Sequence, residues 1–512
     1  MSSLAKSALW VTISEIIFNL SGFVIHSILG RVLGPSDYGR YGIIITLTTM
    51  IIILIGNGIP TAMAKYISEI FETNPRMVLK IKRQATILQT LIISAITIIF
   101  YFSADLISKI LGDPTLAPLF RLSTLIIPAF AAASFYFSYY TGLHKFNTQA
   151  TLKTLRSIFR IGFVVGLALI FGLKGSIAGY TIAPFLVFLV ALAIDKFKIT
   201  RELRANKSEL ERISFHSQKI SSFNWRVLIN YAWQVVVFFL AYELLISIDL
   251  YLVKGILKND ATTGIYNAAL TVGRIPYYIF YAMTIFLLPM VSRASSGNNF
   301  KNAKNIIDNA LRIMLIFLAP MVILMSFYSK EILQLLYGEK YISGAVPMSV
   351  LVYGVGFLTI FYVLSFAMNG AGKTATAMII SAIGVIANAV LNYFLIIKMG
   401  ILGSAYATSI TSFIIMILML YFIKRDFGAG IRMVEFFKVI IAGAISYLVL
   451  FRLPAEKYIF IAFSFLVFAI YLIALYLIKG LSKGDIEYFK SLMRSRKKEE
   501  VEEKLSGNEP GV

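Results

Sequence analysis

The stretch IGFVVGLALIFGLKGSIAGYTIAPFLVFLVALAI (161–194) decides the fold class, because it holds two apolar runs separated only by the turn GLKGS (172–176). The first run begins a little earlier, at residue 155, so each run is about 20 residues long. This length is enough to cross roughly 30 Å of hydrocarbon as a helix. Barrel strands are shorter and alternate apolar with polar residues, so the stretch predicts two membrane-spanning helices.

The same pattern fills most of the chain. Hydrophobic residues make up 58% and charged residues only 14% of the 512 residues, whereas a soluble domain carries about 25% charged residues. A soluble globule and a disordered chain are therefore excluded, and we expect an all-helical membrane protein. The fourteen predicted spans are 10–30, 41–60, 84–104, 118–141, 155–173, 176–194, 227–253, 264–292, 309–328, 346–369, 375–397, 402–423, 434–451 and 457–479.

The basic residues predict the orientation. The net charge is +22, and with the N-terminus in the cytoplasm 34 of the 48 Lys and Arg residues fall in the inner segments and 12 in the outer loops. The positive-inside rule therefore places both termini in the cytoplasm of a cell-membrane protein. The first span contains Glu15 and lacks a basic start and a cleavage site, so we interpret it as a retained helix, not a signal peptide.

The chain contains an internal repeat. GLKGS (172–176) returns as GILGS (400–404), and Gly142-x-x-Lys145 returns at the same offset as Gly370-x-x-Lys373. Gly39-x-Tyr41 returns at nearly that offset as Gly264-x-Tyr266. Six spans in each copy is an even number, so both copies enter the membrane in the same direction, and the pseudo-two-fold axis runs along the membrane normal.

The repeat predicts the domain organisation. Two like lobes that face each other leave a central cavity between them, and the last two spans form an added hairpin. We expect an N-terminal lobe at 1–196, a cytoplasmic linker at 197–226, a C-terminal lobe at 227–430, the hairpin at 431–480 and a charged cytoplasmic tail at 481–512.

Four segments carry a family resemblance: GRVLGPSDYGRYG (30–42), GNGIPTAMAKYISE (56–69), ISIDLYLVKGILKNDATTGIYNAALTVGRIP (246–276) and NGAGKTATAMIISAIGVIANAVLNYFLI (369–396). They resemble the polysaccharide flippases of the multidrug/oligosaccharidyl-lipid/polysaccharide exporter superfamily, in which lipid II flippases have fourteen spans. The resemblance implies two six-helix lobes in a V around a central cavity. It also implies a transporter, not an enzyme, that turns a polyprenyl-diphosphate-linked oligosaccharide from the cytoplasmic to the outer leaflet by alternating access.

Charged residues inside the spans are the candidates for substrate contact. Arg274 lies about ten residues, or about 15 Å, into the eighth span, and a guanidinium can bind a diphosphate through two parallel hydrogen bonds. Lipid II flippases use cavity arginines in this way. The alternative for Arg274 is a structural ion pair with Glu243 at comparable depth. Arg160 lies near the start of the fifth span, where its side chain could instead extend to the cytoplasmic surface, and Arg31 in the first outer loop could be an ordinary loop charge.

Three polar residues share one face of the first span. Glu15 and Asn19 are four residues apart, and Asn19 and His26 are seven apart, so all three lie on one stripe. The stripe predicts either a cavity-lining face or proton relay, or hydrogen-bonded packing between helices.

A cation site is a further candidate. Asp249 in span seven and the pair Asn388 and Asn392 in span eleven offer the hard oxygens that sodium prefers, and Thr408 or Thr411 of span twelve could complete the set. Related lipid II flippases hold a cation among these spans. The alternative is an interfacial carboxylate, since Asp249 lies near the outer end of its span.

Several functions are disfavoured. The chain has no cysteine, its three histidines are scattered, and GAGKT (370–374) is not a phosphate-binding loop, because the required first glycine is Ala367 and no strand precedes it. We therefore expect no bound cofactor, no nucleotide and no nucleic acid, with coupling to Na⁺, H⁺ or the membrane potential.

The expected partners are membrane lipid, the polyprenyl-diphosphate-linked glycan and glycan-assembly enzymes. One alternative function is export of amphipathic cations, which usually requires carboxylates and aromatics in place of arginine. A less favoured one is a membrane-embedded glycosyltransferase or polymerase, which usually requires paired acidic residues and a large non-membrane domain.

Overall fold

The computed structural model describes residues 3–71, 75–203, 225–296, 300–453 and 459–481, and these residues are almost entirely helical. Besides the α-helices, these residues form two 3-10 turns, at 114–116 and at 339–344, and a π-helical turn at 195–199. The α-helices are α1 (Ser3–Asn57), α2 (Ile59–Ile70), α3 (Pro75–Ile110), α4 (Ala117–Ser123), α5 (Ile126–Gly142), α6 (Phe146–Ile194), α7 (Arg226–Leu257), α8 (Asp260–Gly273), α9 (Ile275–Ser296), α10 (Phe300–Phe327), α11 (Ser329–Tyr337), α12 (Ala345–Gly370), α13 (Thr374–Phe427), α14 (Met433–Leu450) and α15 (Ile459–Leu477).

Three long helices each contain two predicted spans. Helices α1, α6 and α13 bend at Gly34, Gly172 and Gly400, whose φ angles are 71°, 57° and 60°. A positive φ is strained for any residue with a Cβ, so glycine is needed where these helices change direction. In the described part of the chain, nine helical segments are long and apolar enough to cross a membrane. Three of these nine segments contain two predicted spans each, so the nine account for twelve spans. Helix α7 accounts for one of the other two predicted spans, and α8 and α9 together account for the last.

The backbone confirms the internal repeat. Gly172 has φ 57° and ψ −137°, and Gly400 has φ 60° and ψ −139°. Shortly after each, at Gly175 and Gly403, an added Cβ would collide with a carbonyl oxygen of the preceding helix, that of Leu167 and that of Leu395. The two turns are therefore the same structure, and in both a glycine allows the second helix to pack closely against the first.

A second pair of turns repeats in the same way. The residues that directly follow α5 and α12, Leu143 and Ala371, both have φ −86° and ψ 7°. The next residues, His144 and Gly372, both have positive φ, at 54° and 76°. The sequence GAGKT is thus a turn between two helices, as predicted, and no strand occurs in the described residues.

The helices form two lobes. In the N-terminal lobe α1 and α5 pack on α6, and in the C-terminal lobe α13 packs on α7 and α12. Helix α1 also packs on α8 of the other lobe. In this contact a Cβ at Gly39 would collide with the Asp260 carbonyl, and a Cβ at Gly264 would collide with the Pro35 carbonyl. These positions are repeat equivalents, so the lobes touch on the pseudo-two-fold axis, at the end of the molecule predicted to face outwards.

The last two helices are an addition to the repeat. Helices α14 and α15 pack on each other and against α10, as predicted for the hairpin at 431–480. Most of the predicted linker at 197–226 and nearly all of the predicted tail at 481–512 lie outside the described residues. The domain boundaries therefore stay predictions.

Candidate functional site

A cavity of about 360 Å³ lies between the two lobes. Its walls are α1, α5 and α6 on one side and α7, α8, α9 and α12 on the other. The contact between Gly39 and Gly264 closes the lobes together at the predicted outer end. Six of the residues predicted to contact substrate line the cavity: Glu15, Asn19, His26, Arg160, Glu243 and Arg274.

The polar stripe of α1 lies on the cavity wall. Glu15 forms an ion pair with Lys153 of α6. A hydrogen bond of 2.9 Å joins His26 Nδ1 to the Tyr38 hydroxyl, which lies 3.3 Å from the Tyr337 hydroxyl of α11. The stripe is therefore a cavity-lining face, and His26 is linked to the other lobe through Tyr38. Its part in proton transfer stays a prediction.

The alternative that Arg160 extends to the cytoplasmic surface is wrong. The residue is only 4% exposed. Its Nη2 donates to the Phe18 carbonyl at 2.8 Å and to the Ser21 hydroxyl at 2.6 Å, so the side chain points towards the middle of the first predicted span. Nε has no hydrogen-bond partner. Helix α6 runs beside α1, and the hydrogen bonds to α1 hold the guanidinium at mid-depth in the cavity wall.

Arg274 lies where the eighth predicted span breaks. Asn259 caps α8 by accepting a hydrogen bond of 2.9 Å from the Thr262 backbone N–H, and the helix ends at Gly273. Pro276, near the start of α9, has no N–H to continue the helix. The break leaves Arg274 between two helices with its guanidinium bonded to the Ile246 carbonyl of α7.

Glu243 lines the same cavity as Arg274, but the predicted alternative of a structural ion pair is wrong. The two side chains form no ion pair among those of the described residues, and the Arg274 guanidinium bonds instead to a backbone carbonyl. Both groups therefore face the cavity without neutralising each other directly.

Arg31 is placed away from the other predicted residues. It is exposed, and its guanidinium donates to the carbonyls of Leu335 and Leu336, near the end of α11. A cation suits these carbonyls, because the last carbonyls of a helix carry partial negative charge. The structure therefore makes Arg31 a contact between the predicted outer loops, away from the residues that line the cavity.

A buried arginine that was not predicted from the sequence lies behind the cavity wall. Arg156 is 3% exposed, and its guanidinium carbon lies 4.6, 4.4 and 4.7 Å from the ring centres of Phe18, Phe130 and Phe137. It lies one turn before Arg160 on α6. The spacing of Lys153, Arg156 and Arg160, one helical turn between neighbours, was the available signal for a basic face on this helix.

A tyrosine cluster on the C-terminal lobe was likewise not predicted from the sequence. Its members are Tyr242 of α7, Tyr277, Tyr278 and Tyr281 of α9, and Tyr362 of α12, and all line the cavity. The Tyr362 ring lies 4.4 Å from that of Tyr242, 5.0 Å from that of Tyr277 and 6.1 Å from that of Tyr281. Three closely spaced tyrosines just after Arg274 were the signal, hidden among the aromatic residues of an ordinary span.

The predicted cation-binding residues do come together. Asp249 is fully buried, and its Oδ2 accepts hydrogen bonds from the Tyr266 hydroxyl at 2.8 Å and the Thr408 hydroxyl at 3.4 Å. Ser404 Oγ donates to Asn392 Oδ1 at 2.6 Å and lies 3.0 Å from the Tyr266 hydroxyl. One hydrogen-bonded chain thus joins Asp249 to Asn392.

The donor set in this chain fits a small cation. Asn392 bonds in turn to Asn388, and the nearby Thr411 hydroxyl is buried without a hydrogen-bond partner. In the described residues no group of three His, Cys, Asp or Glu side chains could hold a metal ion. A site here would therefore depend on amide and hydroxyl oxygens around one carboxylate, which suits sodium better than a transition metal.

Four charged side chains join the lobes at the predicted outer end. Arg40 Nε lies 2.8 Å from Asp260 Oδ2, and Lys254 Nζ lies 3.0 Å from Asp113 Oδ2. Both ion pairs cross from one lobe to the other. Burial raises the pKa of Asp113, but hydrogen bonds from Thr115 and Lys254 and the nearby positive charges outweigh it and hold the pKa below its ordinary value.

Two family profiles match the sequence. The profile described as "Polysaccharide biosynthesis protein" matches residues 4–295, more than half of the chain. The profile described as "MatE" matches residues 235–394.

Two curated relatives are similar to the chain in sequence. The chain is 24% identical to "Stage V sporulation protein B" of Bacillus subtilis, over 86% of this chain and 88% of that protein. It is 24% identical to the "Probable low-salt glycan biosynthesis flippase Agl15" of Haloferax volcanii, over 40% of this chain and 43% of that protein.

Among solved structures, "Lipid II flippase MurJ, inward closed conformation" superposes with a TM-score of 0.72 at 18% identity, over 91% of this chain and 98% of that chain. This likeness shows a shared fold of two lobes.

Proposed function

The chain belongs to the polysaccharide biosynthesis protein family of the multidrug/oligosaccharidyl-lipid/polysaccharide exporter superfamily, and from this membership we propose that it flips a polyprenyl-diphosphate-linked oligosaccharide from the cytoplasmic to the outer leaflet. A sugar chain cannot cross hydrocarbon unaided, because each hydroxyl that loses its hydrogen bonds to water costs several kcal/mol. A polar cavity between two lobes removes most of this cost.

One observation carries the proposal: two guanidinium groups, from different lobes, line one cavity. Arg160 comes from α6 and Arg274 from the break between α8 and α9. A diphosphate presents oxygens that only accept hydrogen bonds from such donors, and guanidinium pairs with phosphate are strong and directional. In our proposal the diphosphate lies between the two arginines while the prenyl chain stays in the lipid.

The lobes are proposed to alternate between two arrangements. The Gly39–Gly264 contact and the ion pairs of Arg40 and Lys254 hold the predicted outer ends together. Separating these contacts while the opposite ends close would expose the cavity to the other leaflet. We propose that the hydrogen-bonded residues from Asp249 to Asn392 bind the coupling cation, and that this cation is sodium and not a proton. The support is its cluster of oxygens from α7, α8 and α13.

A second candidate function is export of an amphipathic cation. The match of residues 235–394 to the "MatE" profile favours it, as does the carboxyl group of Glu243 beside the tyrosine cluster. The two arginines favour the glycan lipid instead, because they repel a cation from the same cavity.

The location and partners follow from the same proposal. Both termini are proposed to lie in the cytoplasm, as the distribution of lysine and arginine predicts. Glycan-assembly enzymes on the cytoplasmic face are the proposed partners, since they would make the lipid-linked substrate there.

Complementation in cells tests the proposal. In cells that lack their own glycan flippase, we expect the chain to restore surface glycan and Arg274→Ala to abolish this rescue. Arg121→Ala, which changes a surface arginine paired with Asp105, is the control and should rescue normally. Normal surface glycan with a stably inserted Arg274→Ala variant would overturn the diphosphate role.

A further inference from the structure

We propose that the tyrosine cluster and Glu243 form a sugar subsite in the cavity, one that recognises the glycan of the substrate separately from its diphosphate. This inference rests on the proposed function and extends it. The cluster is the set Tyr242, Tyr277, Tyr278, Tyr281 and Tyr362, whose rings pack together on the wall of the C-terminal lobe.

The cluster has an inner and an outer layer. Tyr242 and Tyr362 are each only 1% exposed and lie deepest in the wall. Tyr277, Tyr278 and Tyr281 are partly exposed at its surface. The ring of Tyr281 is nearly parallel to that of Tyr362, at 21° and 6.1 Å between ring centres. The inner rings therefore fix the outer ones, which leaves aromatic surface facing the cavity at little cost in side-chain entropy.

The fold does not require these tyrosines. No tyrosine stands at the equivalent positions of the other lobe. The offset that relates Gly172 to Gly400 pairs Tyr277 with Thr49, Tyr281 with Ile53 and Tyr362 with Ser134, and the slightly smaller offset that relates Gly39 to Gly264 pairs Tyr277 with Ile52 and Tyr281 with Gly56. Thr49 and Ile53 line the same cavity from the opposite side. Because the backbone repeats and the tyrosines do not, packing of the repeat fails to explain them.

The chemistry of the wall matches a sugar. A pyranose ring has faces of weakly positive C–H groups, which suit the negative face of an aromatic ring, and an edge of hydroxyls that donate hydrogen bonds. The carboxyl oxygens of Glu243 accept such bonds. A diphosphate has no hydroxyl to donate to them, so the glycan, not the diphosphate, is the part that this wall suits.

The placement also fits the order of the substrate's parts. Arg274 lies at the start of α9, and Tyr277, Tyr278 and Tyr281 follow it within two turns of the helix. A diphosphate held by Arg274 would therefore bring the first sugars against the tyrosine cluster. The arginines would then bind what all such substrates share, and the tyrosines would discriminate among glycans.

The test compares two lipids on the purified full chain. One is polyprenyl diphosphate without sugar, and the other is the glycan-bearing polyprenyl diphosphate extracted from the cells that produce this protein. Binding is measured by native mass spectrometry. For Tyr281→Leu and for Glu243→Gln we expect the preference for the glycan-bearing lipid to fall about tenfold, a change of about 1.4 kcal/mol. Tyr281→Phe should keep most of the preference, because the ring remains.

Tyr353→Leu is the matched control. Like Tyr362, Tyr353 is a residue of α12, but it lines an apolar groove beside α14 and not the cavity. Its loss should therefore leave the preference for the glycan-bearing lipid unchanged. Equal folding is checked by the melting temperature of each variant.

The outcomes separate the subsite from the proposed function. An unchanged preference in Tyr281→Leu and Glu243→Gln, or equal losses for both lipids, would overturn the sugar subsite while leaving the flippase proposal in place. If the wild-type chain binds neither lipid but binds tetraphenylphosphonium through Glu243, the proposed function itself fails, because the wall then recognises a cation.

Discussion

The Asp249 carboxylate is fully buried and accepts hydrogen bonds from Tyr266, Leu250 and Thr408. These donors supply no full positive charge. Arg274 lines the same small cavity as Asp249, but the described residues show no ion pair between the two, and a buried carboxylate without a directly paired cation is costly. A bound cation would compensate the charge directly. The residue therefore has the features of a site that is more stable when occupied.

We expect sodium to stabilise the wild-type chain and not Asp249→Asn. When the free sodium concentration is one hundred times the dissociation constant of the site, binding adds about 2.7 kcal/mol to the free energy of unfolding. The measurement is the melting temperature of the purified protein in sodium chloride against choline chloride. Asp105→Asn, which changes an exposed carboxylate, should respond to sodium like the wild type. An equal sodium response in Asp249→Asn would reject the site.

Single residues also mark the limit of what the sequence could predict. Counting along a span gave the depth of Arg274 and the stripe of Glu15, Asn19 and His26, and the structure places all four on the cavity. The direction of the Arg160 side chain was not predictable, because it depends on a hydrogen bond to Ser21 of another helix. The tyrosine cluster was missed for the same reason, since it forms from three helices.

At the scale of helices, the contact between α1 and α8 joins the two lobes at the predicted outer end. No side chain fits at Gly39 or Gly264, because a Cβ at either would collide with backbone of the partner helix. Backbone cannot yield as a flexible side chain does, so a larger residue must push the two lobes apart.

Gly39→Leu is therefore expected to open the cavity to the outside. Since the chain contains no cysteine, one cysteine placed at Asn19 in the cavity reports access to a membrane-impermeant maleimide added outside. Labelling should rise several-fold in the Gly39→Leu background. Gly162→Leu is the control, because a Cβ there meets nothing within 4 Å. Unchanged labelling would show that this contact does not hold the outer end closed.

The ion pairs beside this contact predict a pH dependence. The pKa of Asp113 lies below its ordinary value of 3.8, so its stabilising effect is fully present above that pH and is lost as the pH falls through the lowered pKa. Asp113→Asn should cost about 2 kcal/mol in the free energy of unfolding at pH 7, a typical value for hydrogen bonds to a charged group.

The melting temperatures of the wild type and Asp113→Asn, measured from pH 7 to pH 3, check this dependence. The difference between the two proteins should shrink below about pH 4. A difference that stays constant over the whole range would show that the charge of Asp113 does not contribute.

At the scale of the whole molecule, the architecture was predictable because it depends on local signals. Apolar run length predicted the spans, and the glycines at 172 and 400 marked turns whose backbone proves identical to within a few degrees. The nearly constant offset between the two copies then predicted two lobes and hence a cavity. The residues that line the cavity were less predictable. The repeat makes the backbone of the two lobes alike, but the side chains on the two cavity walls differ.

This asymmetry is the feature of the cavity that best fits the proposed two-part substrate. Both lobes contribute an arginine, through Arg160 and Arg274, whereas in the described residues the tyrosine cluster of the cavity lies on the C-terminal lobe. A cavity for a simple amphipathic cation would require neither arginine.

Transport by the purified chain in lipid vesicles is the most direct test of the central claim. Fluorescent polyprenyl-diphosphate-linked oligosaccharide is placed in one leaflet, and its arrival in the other is followed with a lectin that cannot cross the membrane. We predict that vesicles with the wild-type chain move this lipid much faster than empty vesicles, and that Arg274→Ala and Arg160→Ala do not. Equal rates in wild-type and empty vesicles, together with uptake of tetraphenylphosphonium by the wild type, would contradict the account.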